Sequence, residues 1–149
     1  MDIKEELYKA CLSFIENRFS TINATISEIQ ESLMSETKSS AGDKHETGRA
    51  MLQLEREKAG NQLAEIQKVK EELSKVDVTK TSNIIGLGSI VYTTQNNYFI
   101  SISAGKIQVN NLTYYAVSPN TPISQVLLSK KAGDEIKFRG QKFQIKSVI

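Results

Sequence analysis

Asp43 and Glu46 stand three residues apart within Ser39-Ser40-Ala41-Gly42-Asp43-Lys44-His45-Glu46-Thr47-Gly48. Residues at that spacing share one face of a helical turn, so the two carboxylates could converge on one divalent cation. Their hard oxygens suit Mg2+, but two donors do not complete its shell, because Mg2+ keeps several waters and takes substrate phosphates as further ligands. The pair could therefore complete a metal site that another molecule supplies. The same spacing fits plain helix capping, with Asp43 at the cap and Glu46 three residues on, ahead of a helix. His45 lies between them and could be a third ligand or a proton carrier, although neighbouring positions on a helical turn point apart. Cys11 is the single cysteine and stands 34 positions (45 − 11) from the only histidine. A catalytic thiol would need a neighbouring base, so a small half-buried residue is its expected role.

The elements on either side explain why this segment matters. Apolar residues recur at Tyr8, Leu12, Ile15, Phe19, Ile22, Ile26, Ile29 and Leu33, alternating steps of four and three. That is the seam of a coiled coil. Leu52, Ala59, Leu63, Ile66, Val69, Leu73 and Val76 form a looser second stripe, with Arg56 and Lys70 where a strict heptad would want apolar groups. Neither stretch contains proline, and each helix of about 30 residues would be about 45 Å long. The polar connection Ser35 to Gly42 is short, so the expected arrangement is a monomeric antiparallel hairpin over residues 1–77 with the acids at its tip, near 39–48. A parallel dimer through the first helix is the alternative. Lys38, Lys44, Arg49, Arg56 and Lys58 flank the tip and could meet RNA phosphate, or simply line a solvated helix face.

Residues 78–88 break the helical period with Thr79, Thr81, Ser82, Asn83, Gly86 and Gly88, and read as a linker. The remainder, 89–149, reads as a small antiparallel sheet with one helix. Strands are expected at Ile90 to Tyr92, Tyr98 to Ile102, Tyr114 to Val117, Glu135 to Phe138 and Lys142 to Val148, with a turn at Asn96-Asn97. Pro122 to Lys130 reads as a short helix capped by Thr121, with Ile123, Val126 and Leu127 on one face. The predicted fold class is thus α+β.

Charge divides along the same boundary. Residues 1–77 carry 11 Lys/Arg against 15 Asp/Glu, a net −4, whereas residues 86–149 carry 7 against 2, a net +5. An acidic arm on a basic head fits a polar protein partner or a nucleic-acid complex, and also plain solubility. One cysteine provides no disulfide framework, and the charged start Met1-Asp2-Ile3-Lys4-Glu5-Glu6 has no apolar run behind it. A reducing, cytoplasmic setting without membrane association is expected.

Gly42-Asp43-Lys44-His45-Glu46 resembles the Gly-Asp-x-x-Glu hairpin tip of the bacterial Gre transcript-cleavage factors. The run from Val117 to Asp134, with its Ser118-Pro119 start, Leu127-Leu128, Lys130-Lys131 and Gly133-Asp134, is similar to the C-terminal stretch of the same family. The chain departs at Thr121, where the family usually has serine, at Asn120, where some members have aspartate, and after Glu46. The resemblance covers nearly the whole chain and implies an FKBP-like C-terminal domain. It also implies a transcription elongation factor that binds bacterial RNA polymerase through Asn120, Thr121, Pro122 and Ile123 and passes its coiled coil down the secondary channel. There Asp43 and Glu46 would help hold a Mg2+ shared with the polymerase and stimulate cleavage of backtracked RNA, near the nascent RNA 3′ end. Such a protein lends ligands to another enzyme and turns nothing over itself. Two other readings stay open: an inhibitor of the polymerase with the same shape, and a coiled-coil interaction module in which the two acids only cap a helix.

Overall fold

The computed structural model describes the backbone of residues 2–38 and 42–149 and the side chains of residues 2–35 and 47–149. Helix α1 runs Ile3–Lys38 and α2 runs Gly42–Ser74. A connection this short between consecutive helices makes them antiparallel neighbours, as the two apolar stripes require. The chain packs as two compact units, one of Ile15–Val69 and one that joins Met1–Phe14 to Lys70–Ile149.

Among the described residues of the unit Ile15–Val69 the buried positions are Ile15, Ile22, Ile26 and Ile29 of α1 and Ala59 and Ile66 of α2. The sevenfold steps Ile15-Ile22-Ile29 and Ala59-Ile66 are those of a coiled-coil seam, with β-branched side chains filling one face. Arg56 interrupts the stripe and is half-buried. Its Nη1 lies 3.0 Å from where a Cβ on Gly60 would sit, so the guanidinium packs back over the next turn of its own helix.

The second unit is built on a six-stranded sheet in the order β3-β4-β2-β1-β6-β5. Its strands are β1 Ile90–Thr93, β2 Asn97–Ile100, β3 Gly105–Val109, β4 Leu112–Val117, β5 Glu135–Phe138 and β6 Gln141–Val148. All five expected strands are present, their ends within a residue or two. The turn expected at Asn96-Asn97 comes earlier, because Thr93 Oγ1 accepts from the backbone N–H of Gln95 and Asn96 and donates to the Asn96 carbonyl, freeing Asn97 to begin β2. That strand stops at Ile100 instead of Ile102. β3 was not expected at all. It pairs with β4 through Asn110 and Asn111, both with positive φ (51° and 65°), the backbone of a two-residue hairpin turn. Since β3 takes the outer edge and β4 returns beside β2, the β2–β4 pair is parallel, and the sheet is antiparallel only elsewhere.

Side chains alternate across a strand, and both faces of this sheet are covered. Helix α3, Pro122–Leu127, lies over one face, where Ile123 and Leu127 join Val91, Ile100, Ile136, Phe143 and Ile145 in a single cluster. It is shorter than the expected Pro122 to Lys130, because Leu128 turns extended (ψ 138°) and Ser129 has φ 71°. On the other face Ile90, Phe99, Tyr114 and Ala116 are buried, and in the same compact unit so are Leu7 and Cys11 of α1, Leu73 and Val76. The seam accordingly changes phase at the start of α1. Tyr8 and Leu12, expected in it, are half-buried, while Leu7 and Cys11 are fully enclosed. This end of α1 belongs to the compact unit that holds the sheet, with Cys11 Sγ 3.6 Å from Ser101 Oγ just past β2, so the heptad phase of a helix pair does not govern it.

Candidate functional site

The acidic pair belongs to α2, which begins at Gly42, so Asp43 and Glu46 occupy its first turn. The helix starts one residue before Asp43, which places that residue inside the turn and not ahead of it. The side chains of Asp43, Glu46 and His45, and of Lys38 and Lys44, lie outside the described residues. Among the described residues no group of three His, Cys, Asp or Glu side chains could hold a metal ion. The hard-oxygen donor pair suits Mg2+, but only as part of a larger ligand set. Arg49 is half-buried and Lys58 exposed.

The residues before α3 form a second candidate site, and their geometry is tight. Thr121 is the N-cap, its hydroxyl accepting from the Ser124 backbone N–H, with Pro122 in the first turn where no donor is needed. Thr121 Oγ1 also donates to Ser124 Oγ at 2.8 Å, and Ser124 Oγ donates to the Ser118 carbonyl at 2.7 Å. Gln125 Nε2 ties down the Pro119 carbonyl at 2.7 Å, and the Ser118 backbone N–H donates to Ser103 Oγ at 3.2 Å. Residues 118–121 are thereby held at both ends against the sheet. Of the four residues expected to dock, Asn120 and Pro122 are exposed, Thr121 is half-buried, and Ile123 is in the core cluster with 9% exposure. The accessible surface here is Asn120-Pro122; Ile123 holds it in place from beneath. Ser124, fully buried, was not singled out from the sequence, although the Thr-x-x-Ser spacing of a cap with a polar N3 residue is visible there.

Two further groups lie near the start of α1. The Lys4 ammonium donates to the Lys80 carbonyl at 2.7 Å, and burial pushes its pKa below the usual lysine range, opposed by the charges of Asp2 and Asp77. Cys11 Sγ lies 3.6 Å from Ser101 Oγ, and burial pushes the thiol's pKa up. A raised thiol is a poor nucleophile, which agrees with a packing role for Cys11.

No family model matches the chain, and no curated protein matches it. Among solved structures, one described as the structure of the transcription factor Gfh1 is 16% identical, covering 88% of this chain and 92% of that one, with a TM-score of 0.35. At that score the likeness carries no argument, and the α+β fold rests on the elements described above. No helix among the described residues is long and apolar enough to cross a membrane.

Proposed function

We propose that this chain is a Gre-like transcription elongation factor that binds bacterial RNA polymerase, inserts its coiled coil into the secondary channel and stimulates cleavage of backtracked RNA. The observation that carries this reading is the conjunction of two motifs in their expected order and context. Gly42-Asp43-Lys44-His45-Glu46 opens the second helix of an antiparallel pair, and Ser118-Pro119-Asn120-Thr121-Pro122 leads, through a capped turn, into a short helix laid on a sheet. In this reading residues 1–77 act as the arm, 78–88 as the linker and 89–149 as an FKBP-like head, working as a monomer in the cytoplasm. Asn120 and Pro122 meet the polymerase, with Thr121 and Ile123 fixing their backbone.

Asp43 and Glu46 would hold a Mg2+ shared with the polymerase, and when bound such an ion neutralises charge at the attacked phosphate. The chain's own contribution is to present two anions on a helical first turn and bring them to the polymerase's site. It performs no turnover by itself.

The test is transcript cleavage on stalled elongation complexes of the cognate polymerase. Asp43→Asn and Glu46→Gln should each remove most cleavage stimulation while polymerase affinity changes little, because each change removes charge and preserves size. If the acids only cap the helix, Asp43→Asn should be nearly silent, since asparagine caps about as well as aspartate. Slowed elongation without release of short RNA would instead make the protein an inhibitor, and full cleavage by the doubly substituted protein would end the metal-ligand role.

A further inference from the structure

The positive charge of the head is concentrated on one ribbon. Of the seven cations in residues 86–149, Lys137, Arg139, Lys142 and Lys146 all lie on β5, β6 or the turn between them. Register sets Lys137 directly opposite Lys142 and Glu135 opposite Gln144. The alternate positions Ile136, Phe143 and Ile145 point into the core, so these four polar residues share the outer face. Arg139, at the turn, lies 4.9 Å over the Phe138 ring, and Lys146 is exposed further along β6, beside the register shift against β1. The ion pair recorded on the ribbon, Lys142 Nζ to Glu135 Oε1, is long at 4.0 Å and open to solvent.

Two ordinary explanations leave part of this unexplained. Lysines on an edge strand deter pairing with other sheets, which accounts for Lys137 on β5. It does not account for Lys142 or Lys146, because β6 lies between β5 and β1. Cross-strand packing does not favour the arrangement either, since like charges directly opposed are destabilising. The outer face also lacks what a protein partner would want: Glu135, Lys137, Lys142 and Gln144 include no apolar or aromatic anchor, and lysine is depleted at protein interfaces. Lysine serves instead as a point charge for phosphate.

We propose that the β5–β6 ribbon binds the phosphate backbone of nucleic acid, without reading sequence. With no exposed ring on the outer face for bases to stack on, Lys137, Lys142, Lys146 and Arg139 contribute counterion release and little else. This inference does not depend on the acidic tip or on any effect on RNA cleavage.

The experiment is fluorescence anisotropy of the full chain with a labelled, unstructured RNA of about 20 nucleotides, long enough for one such site. Four neutralised phosphates on a single strand give a log–log salt slope near −3, so affinity should fall about 50-fold between ~50 and ~200 mM salt. The triple variant Lys137→Gln/Lys142→Gln/Lys146→Gln should bind far more weakly, with a slope near −1, and should melt no lower than the parent. Replacing the same three residues with arginine should retain both affinity and slope. A control with equal charge loss away from the ribbon, Lys9→Gln/Lys68→Gln/Lys75→Gln, at three exposed lysines, should bind like the parent. The proposal is overturned if the glutamine variant keeps the parent's slope, if the control away from the ribbon loses as much binding, or if the parent shows no salt-dependent binding. It is equally overturned if polyglutamate of matched charge binds as tightly as RNA, which would assign the face to acidic protein.

Discussion

At Thr121 a single hydroxyl caps α3 and starts the relay to Ser124 and the Ser118 carbonyl. Thr121→Ser preserves the oxygen and should leave stability nearly unchanged. Thr121→Val removes the cap and should cost about 1 kcal/mol, read as a shift in denaturant midpoint with unchanged m-value. Asp77 presents a different residue-level test. The Thr79 hydroxyl, followed by the Thr79 backbone N–H, holds its carboxyl below the usual aspartate range. Because the folded pKa is lowered, the ionised form is favoured by folding. Its contribution is present above the unfolded carboxyl value of about 3.9 and is lost as pH falls through the folded value. Asp77→Asn should therefore be less stable than the parent near neutrality, with the gap closing as acid titrations pass below about pH 4. A gap that stays constant with pH would show that the carboxylate's charge is not what stabilises this turn.

Among the elements, α2 carries an evident local weakness. Gly60 sits inside the helix, where glycine is less favourable than alanine by roughly 0.5–1 kcal/mol. A new Cβ would meet only the far end of Arg56, a side chain that can move aside. Gly60→Ala should thus raise the melting temperature; a lower one would mean that Arg56 is fixed where it lies. Helix α3 separates docking from folding. Asn120→Lys with Pro122→Glu should weaken polymerase binding and leave the melt intact, because both residues are exposed. Ile123→Asp should destabilise the fold itself by several kcal/mol, since it buries a charge among Val91, Ile100 and Leu127. Equal loss of stability in both proteins would mean that the exposed pair is structural. Much at this scale was legible in the sequence. The heptad steps of Ile15-Ile22-Ile29 announced the coiled coil, and Thr121-Pro122 announced the start of α3. β3 was not legible, because Gly105-Lys106-Ile107-Gln108-Val109 offers only two apolar side chains and turns through Asn110-Asn111 without a glycine. Nor could the pattern show that Ile123, part of a docking-like motif, faces the core, because a six-residue helix is too short to display its period. The acidic pair was legible as a motif, yet its spacing alone fits both capping and metal binding.

For the whole molecule, composition and packing divide the chain differently, and the two divisions lead to opposite expectations. The shift in residue type at 78–88 suggests a head that begins after the helices. In the folded chain, however, the compact unit that holds the sheet includes Met1–Phe14 and everything from Lys70 onward. The reason is the second face of the sheet, where Ile90, Phe99, Tyr114 and Ala116 are buried in the same unit as Leu7, Cys11, Leu73 and Val76. A sheet with one apolar face uncovered loses the burial that holds it, at about 25 cal/mol for each Å2 returned to water. Replacing Ile15–Val69 by a short Gly/Ser linker between Phe14 and Lys70 should accordingly leave a protein that melts cooperatively. A fragment of residues 78–149 should bind a hydrophobic dye and unfold without a sharp transition. Thermal melts followed by near-ultraviolet circular dichroism decide the matter. If the 78–149 fragment melts as sharply and at the same temperature as the full chain, the head is autonomous and the start of α1 adds nothing to it.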